Sequence, residues 1–516
     1  MALLVFAPLA FGSVHVWAYS LVEIGVFVLL TLHLMNRIVF SKSDSVSWVK
    51  TPVNLVLILL FVFIGLQMVP LPPSWIAFFS PKTFSDKMRV FEVIERVADS
   101  VPNTSAGGPP WIFFAYYRHP ALVEWLKLAA YLGMFFLVLD TARSKKQINT
   151  LIYVLVLVGL FEAVYAIFQV FNVAPLVWWW KSRVGAKHLA SGTFIVSNHF
   201  AGYLEMILSI CFGFVIAQKK RQEQFLSGLN GPRALVQRAV SWFSPESVQP
   251  KQLFFFFSAI LMGLALLLSA SRGGILSLGA SMLLMSVLFF TKKKYHSYGV
   301  LALCLCLFSF IYGLHVGIDP TLEKFKRTEG LHWRLYTTQT LIPMLRDYPV
   351  MGVGYGNYGY QYLNYQAKFF SNPDRLIYQD KAVGLKEAHS EIIHVLAETG
   401  IIGLILFISI FVLFYYYAYS VLKHKFPDKK SRFLMRCIIA SVLVISIHSM
   451  VDNVLHVLPI TLLLYFALAV ISAETKKEIS ISNTPGTNVL IRPLVNWSFR
   501  GNLIFPVVGI LLLILN

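Results

Sequence analysis

Charged residues are scarce in this chain. Only 13% of its residues are Asp, Glu, Lys or Arg, whereas 57% are hydrophobic. An ordinary soluble protein carries about a quarter charged residues, so the composition excludes that class. Apolar runs of about eighteen or more residues recur along the 516 residues, and such runs are long enough to cross a bilayer as helices. The sequence therefore predicts an all-α, polytopic membrane protein.

Cysteine is also scarce, and the motifs of common soluble enzymes are absent from the sequence. The four cysteines lie inside apolar runs, without zinc spacing or aqueous disulfide partners, so we expect them to be packing residues. There is no phosphate-binding loop and no HExxH motif. The stretch GVGYGNYG (352–359) imitates a dinucleotide fingerprint, but it follows Pro349 without a preceding strand and predicts a turn.

The formal net charge of +19 comes from lysines and arginines in short gaps between apolar runs. Such gaps are typical of cytoplasmic loops under the positive-inside rule, so we expect no nucleic-acid partner. The basic gaps are those around Arg37 to Lys50, Arg143 to Lys146, Lys219 to Arg221, Lys292 to Lys294 and Lys423 to Lys430.

We predict twelve or thirteen membrane spans in a single domain covering residues 1–516, with a large polar loop at 317–400. Residues 2–15 and the fourteen residues from Leu503 onward are short for a span. The clear spans are predicted at about 18–38, 52–70, 121–140, 148–172, 199–218, 253–270, 274–290, 297–316, 401–421, 434–451 and 455–473.

Alternating these spans places the basic gaps and the amino terminus on the cytoplasmic side. The polar stretches then share the opposite side; they are 71–120, 173–197, Arg272, 317–400 and 448–456. Residues 71–120 contain Trp75 and Trp111, and we expect this segment to lie along the membrane surface, where amphipathic aromatics are favoured.

Arg272 lies where two apolar runs meet and is followed by Gly273 and Gly274. An arginine near lipid is costly unless it faces a cavity or reaches the interface. A guanidinium suits bidentate binding of phosphate, and glycines let a phosphate approach the backbone closely. The alternative is a snorkelling arginine that only stabilises the turn.

His389 begins the helical pattern that leads into the span at 401, and an imidazole is the usual general base. Helical spacing puts Glu387, Glu391, His394 and Glu398 on one face, where a carboxylate can orient the imidazole. The alternative, stronger for His394 and Glu398, is a solvated helix face.

Further cations on the same side suit an acidic lipid diphosphate, although exposed cations near a membrane often only meet headgroups. They are Lys181, Arg183, Lys187, His199, Arg327, Arg334 and Arg346. Glu162 and Glu205 lie within predicted spans, where a carboxylate is costly unless it is paired or lines a cavity.

Four blocks of this sequence resemble the O-antigen ligase and O-antigen polymerase superfamily of bacterial inner-membrane glycosyltransferases. HSMVDNVLHVLP (448–459) fits the terminal block of the superfamily more loosely. The four blocks are SGTFIVSNHFAGYLEM (191–206), LLSASRGGILSL (267–278), RLYTTQTLIPMLRDYPVMGVGYGNYGY (334–360) and EAHSEIIHVLAETGIIGL (387–404).

The resemblance implies a multispanning protein with a large periplasmic loop and no metal, nucleotide or other cofactor. It implies transfer of a glycan from undecaprenyl diphosphate to a hydroxyl of a glycan or lipid-glycan acceptor, among membrane lipids and other polysaccharide-assembly proteins. His389 takes the base role and Arg272 a diphosphate role. Ser390 replaces the usual asparagine, and Lys187 and His188 stand where an arginine is common, so that arginine is carried onto Arg183.

Polymerase, ligase and protein O-oligosaccharyltransferase share these motifs and stay open as alternatives, as does a transporter or flippase of lipid-linked glycans. Transporters place their sites near the membrane midplane between repeats, whereas the ionisable residues here gather at one face. We therefore expect a transferase. Its catalytic residues are predicted to be His389 and Arg272, and its substrate-binding residues Arg183, Lys187, Arg334, Glu391 and Glu398.

Overall fold

The structure, a computed structural model, describes most of the predicted spans and parts of the polar segments. The described residues are 1–40, 51–99, 111–141, 144–171, 176–178, 181–182, 189–217, 250–290, 307, 311, 339–372, 387–423 and 429–482.

The described residues of the amino-terminal half form eight helices and one short antiparallel hairpin. The helices are α1 (Ala2–Leu9), α2 (Val16–Phe40), α3 (Pro52–Leu66), α4 (Pro73–Phe79), α5 (Pro81–Asp99), α6 (Arg118–Thr141), α7 (Lys145–Phe171) and α8 (Ser197–Ala217), with a 3₁₀ turn at Phe11–Ser13. The hairpin pairs β1 (Leu176–Val177) with β2 (Lys181–Ser182).

The carboxy-terminal half continues the bundle. Its helices are α9 (Pro250–Leu268), α10 (Arg272–Phe290), α11 (Tyr358–Phe370), α12 (Glu391–Lys423), α13 (Lys429–His448) and α14 (Leu458–Ser482), with a 3₁₀ turn at Val454–His456. Residues 339–347 are also helical.

The all-α, polytopic membrane architecture is confirmed. Four described helices are long and apolar enough to cross a membrane, at Val16–Val39, Arg118–Thr141, Lys146–Phe171 and Glu391–Tyr419. Shorter apolar helices occupy Pro52–Leu66, Leu253–Leu268, Leu434–His448 and Leu458–Glu474. Of the predicted spans, 297–316 lies almost wholly outside the described residues, as does the run from Leu503.

The short apolar run at 2–15 does not form one long helix. Helix α1 ends at Leu9, and a 3₁₀ turn with Gly12 at φ 63° reverses the chain into α2. Leu3 then packs directly on Gly25 of α2, where an added Cβ would lie 2.6 Å from Leu3 Cδ2. Helix α1 is therefore a short helix folded back against α2.

Helix α14 forms the centre of the bundle. Every residue from Val457 to Ala473 is buried, and this stretch packs against α6 and α12. A helix that is apolar on all sides belongs in the interior or in lipid, and here it is the interior. By contrast, α2 exposes Leu29, Leu32 and other apolar side chains, as expected of a lipid-facing helix.

A buried carboxylate joins α2 and α6 at the end of the bundle where α6 finishes. Asp140 Oδ2 lies 2.7 Å from His33 Nε2 and 2.9 Å from Arg37 Nη1. Arg37 belongs to the basic gap that the sequence assigns to the cytoplasmic side. Pairing with a cation offsets much of the cost of burying the Asp140 charge.

At the opposite end, the turn predicted at 352–359 locks several segments together. Gln67 at the end of α3 donates from Nε2 to Met351 O at 2.7 Å and accepts from Tyr355 N at 2.9 Å. Gly352, Gly354 and Gly356 all have positive φ, between 68° and 99°, so the turn is confirmed.

The segment predicted to lie along the membrane surface packs beside this turn. Lys87 of α5 donates to the carbonyls of Phe113 and Ala115 at 2.7 and 2.8 Å. Helix α5 also exposes apolar side chains such as Val90 and Val97 among its charged residues. A mixture of exposed apolar and charged side chains fits a helix at the membrane–water interface. That placement, the single-domain assignment and the sidedness of loop 317–400 stay predictions.

Candidate active site

His389 lies in the short turn that precedes α12 and has φ 52°. Two contacts fix this turn: Glu391 N donates to Ser449 O at 2.9 Å, and Ala388 N donates to His394 Nδ1 at 3.3 Å. The His389 side chain is 53% exposed. A positive φ in a residue other than glycine is uncommon and clusters at functional sites.

Asp452 faces this imidazole from the loop between α13 and α14. Its Oδ1 lies 3.7 Å from His389 Nδ1, and its Oδ2 accepts from Asn198 Nδ2 of α8 at 2.6 Å. Burial would raise the pKa of Asp452, but the neighbouring His389 imidazole, hydrogen bonds from Asn453 N and Asn198, and the charge of His448 lower it to about 2. The carboxylate is thus ionised at neutral pH and suited to orient an imidazole.

Asp452 and Asn198 are the site residues that the sequence analysis did not name individually. Both fall inside blocks quoted above, SNHFAGYL and HSMVDNVLH, but they are 254 positions apart. The only available signal was that both blocks belong to the same side of the membrane, which predicts proximity without selecting a pair.

Arg272 is the first residue of α10 and is exposed. The next residue, Gly273, lies against His448: a Cβ added there would be 2.6 Å from His448 Nε2. The backbone carbonyl of His448 in turn accepts a hydrogen bond from Asp452 N at 3.0 Å. Arg272 and the His389–Asp452 pair therefore meet at one junction, the end of α13.

The polar stretch 173–197 reaches the same junction through its described residues from Leu189 onward. Ala190 N donates to Leu268 O at 3.1 Å, just before the turn that carries Arg272. His199, beside Asn198 on α8, is half-buried and lies within electrostatic range of His389, His448 and Asp452. The structure thus adds a further imidazole to the surroundings of His389.

The acidic and imidazole stripe of α12 is buried. Glu391, His394 and Glu398 are 5%, 3% and 2% exposed, so the alternative of a solvated face is wrong for His394 and Glu398. The physical reason is that the segment 350–358 folds over this face: Val353 N donates to Ala397 O at 2.9 Å.

Inside this cover, Glu398 and His394 bind neighbouring groups of the protein. Glu398 Oε1 accepts from Tyr358 N at 3.0 Å and lies 3.3 Å from His394 Nε2. Glu391 Oε1 lies 3.5 Å from His456 Nε2. Burial and these partners favour a structural role for Glu398, and substrate contact by Glu391 or Glu398 stays a prediction.

Glu162 and Glu205, the two carboxylates singled out above within predicted spans, are buried and bound to polar partners, as expected for such costly groups. Glu162 accepts from Thr193 N at 2.8 Å. Glu205 Oε1 lies 2.8 Å from His448 Nδ1. The predicted binding residues Arg183, Lys187 and Arg334 lie outside the described residues.

A family model described as O-antigen ligase matches residues 257–408. The matched segment is similar to the O-antigen ligase family. It contains both Arg272 and His389, and it confirms the resemblance to the O-antigen ligase and polymerase superfamily. A search of curated proteins finds no match. Asn198 and Asp452 come from outside the O-antigen ligase segment, so the site is completed by flanking helices.

The match to this family and the apolar helices point to an integral membrane protein and support glycosyl transfer of the ligase or polymerase type in general. The family implies lipid-linked glycans and their acceptors as general substrate classes. Among the residues that the structure describes, no group of three or more His, Cys, Asp or Glu side chains is arranged to hold a metal ion.

Proposed function

We propose that this protein transfers a glycan from an undecaprenyl-diphosphate-linked donor to an acceptor hydroxyl at the periplasmic face of the bacterial inner membrane. The observation that carries the proposal is the exposed His389 imidazole facing Asp452 at the junction that also holds Arg272. Polysaccharide polymerase and O-antigen ligase are its two leading forms, because both use this chemistry on different acceptors.

His389 is the general base of the proposed reaction. Nδ1 is the nitrogen toward Asp452, so Nε2 takes the proton from the acceptor hydroxyl. The hydroxyl oxygen then attacks the anomeric carbon of the donor sugar, and the bond from that carbon to the diphosphate oxygen breaks. The ionised Asp452 stabilises the imidazolium that forms, as an orienting carboxylate does for a catalytic histidine.

Arg272 binds the diphosphate leaving group. Negative charge grows on the bridging oxygen as the glycosidic bond breaks, and a guanidinium placed there stabilises the transition state more than the ground state. Its position at the exposed start of α10 lets a diphosphate approach the guanidinium. The sequence-based expectation that Gly273 and Gly274 open the backbone to a phosphate is wrong, because these glycines pack against His448 and Ala201.

The test is glycan output in a deletion strain complemented with wild type, His389→Ala or Arg272→Ala at matched membrane levels. Matched controls are His119→Ala and Arg89→Ala, which remove exposed side chains of the same kinds from α6 and α5. We expect both site variants to abolish high-molecular-weight glycan and to accumulate lipid-linked donor, while both controls resemble wild type.

Full output from His389→Ala overturns the general-base assignment. Full output from both site variants overturns the transferase proposal and favours a transporter or flippase of lipid-linked glycans. The acceptor found attached to the wild-type product distinguishes a polymer, a ligated lipid-glycan and a glycosylated protein.

A further inference from the structure

Glu205 and His448 form a buried polar pair at the junction of three helices. Glu205 of α8 and His448 of α13 are each 0% exposed, and Glu205 Oε1 lies 2.8 Å from His448 Nδ1. Ser277 of α10 donates from Oγ to Glu205 Oε2 at 3.0 Å. A carboxylate only accepts hydrogen bonds, so Nδ1 carries the proton that joins His448 to Glu205.

Burying such a pair costs free energy, so it is an inefficient way to stabilise the packing of helices. Replacing a buried ion pair by apolar side chains of similar volume is often neutral or stabilising, because burial of the polar groups costs more than their attraction returns. Inside a lipid-embedded bundle, ionisable residues therefore mark a functional demand. Neither Glu205 nor His448 has a part in the proton transfer described above.

The surroundings of His448 show what this pair holds in place. On one side it touches Gly273, the neighbour of Arg272, with room for no Cβ. On the other side its carbonyl accepts both Val451 N and Asp452 N at 3.0 Å, which forms the turn presenting Asp452. His448 therefore contacts the Arg272 turn through its imidazole and holds the Asp452 turn through its backbone carbonyl, so a shift of His448 as a whole moves Arg272 and Asp452 relative to each other.

We propose that Glu205 and His448 are positioning residues that set the separation between Arg272 and the His389–Asp452 pair. The inference rests on the proposed function, since it is the diphosphate site and the base whose spacing is held. Polar groups suit this role because a hydrogen bond fixes one orientation of the imidazole, whereas apolar side chains permit several. A misplacement of about 1 Å in a catalytic site can cost on the order of 100-fold in rate.

The decisive variant is the double substitution Glu205→Leu with His448→Leu. It removes the pair without leaving one partner buried and unpaired, so a purely structural pair predicts a folded and active protein. If the pair positions the site, the double variant should keep the wild-type melting temperature in detergent and lose roughly 10- to 100-fold of its glycan output. Glu205→Gln, whose amide oxygen still accepts from His448 Nδ1, is expected to recover most of the output.

A second pair of variants decides the matter if the double variant fails to fold. Gly273→Ala places a Cβ against the His448 ring, whereas Gly279→Ala on the same helix meets nothing within 4 Å. We expect about a tenfold loss of output from Gly273→Ala and none from Gly279→Ala, both at wild-type membrane levels.

Normal output from a folded double-leucine variant overturns the positioning role, as does normal output from Gly273→Ala. His389→Ala in the same strain separates this failure from a failure of the proposed function. If His389→Ala is inactive while the double-leucine variant is active, only the positioning role falls. If His389→Ala is active, the proposed function falls and the positioning role with it.

Discussion

Asp452 and His389 face each other at 3.7 Å although they belong to different loops, and Asn198 anchors the Asp452 carboxylate from a third element. This arrangement gives the exposed imidazole an ionised neighbour that is itself held in place. It is the relationship on which the proposed chemistry depends, and it leads to the first two predictions.

Replacing Asp452 by Asn should lower the rate of glycan transfer and shift the acid limb of its pH–rate profile. The negative charge of Asp452 stabilises the imidazolium of His389, so its loss shifts the acid limb of the pH–rate profile to lower pH. We expect the maximal rate to fall by roughly 100-fold or more, since general acid–base catalysis typically contributes about 10²- to 10⁴-fold. The measurement is transfer rate against pH in membranes; an unchanged acid limb contradicts the pairing.

The same substitution should change stability in a pH-dependent way. The pKa of Asp452 is lowered from 3.8 to about 2, so the folded state binds fewer protons than the unfolded state across that window. The stabilisation, about 2 kcal/mol, is present above pH ~4 and is lost as pH falls toward 2.

Melting in detergent between pH 7 and pH 3 tests this. Wild type should be more stable than Asp452→Asn at pH 7 and at pH 5, with a gap that narrows at pH 3. A gap that stays constant over this range would show that the stabilisation does not come from ionised Asp452.

Glu398 should behave as a structural residue. Glu398→Ala leaves Tyr358 N and His394 Nε2 without their acceptor inside the protein, which costs about 1–3 kcal/mol. Glu398→Gln keeps an oxygen acceptor and should retain both melting temperature and output. Loss of output from Glu398→Gln at an unchanged melting temperature would instead support the substrate-binding prediction for this carboxylate.

The packing of segment 350–358 on α12 should not tolerate a side chain at Gly352 of the segment or at Gly400 of the helix. Their φ values are 68° and 63°, and an added Cβ would lie 2.3 Å from the Glu398 carbonyl carbon and 2.1 Å from Val350 O, respectively. Backbone cannot move aside as a flexible side chain can. We expect Gly352→Ala and Gly400→Ala to reduce folded protein in membranes severely.

Gly263→Ala is the matched control, because nothing lies within 4 Å of a Cβ at that helical position. It should preserve or slightly raise stability, since alanine favours a helix over glycine by up to ~1 kcal/mol. Fluorescence-detected size exclusion of solubilised membranes distinguishes the three variants. Wild-type amounts of Gly352→Ala would show that the cover can rearrange.

The sequence by itself determined the helices and most of the spans, and it singled out Arg272 and His389, the two residues proposed to be catalytic. Apolar runs specify spanning helices locally, and Arg272 and His389 stand out because each interrupts or borders such a run. The turn at 352–359 could also be predicted from the sequence, since its glycines permit the positive φ that the backbone adopts there.

Only the tertiary structure decided which groups surround His389 and which carboxylates are available. Helical spacing correctly placed Glu391, His394 and Glu398 on one face, but it could not show that the segment 350–358 covers that face. Nor could it pair Asp452 with His389 or Glu205 with His448. Those contacts join residues far apart in the chain, and they depend on how the helices pack, which no local pattern of residues specifies.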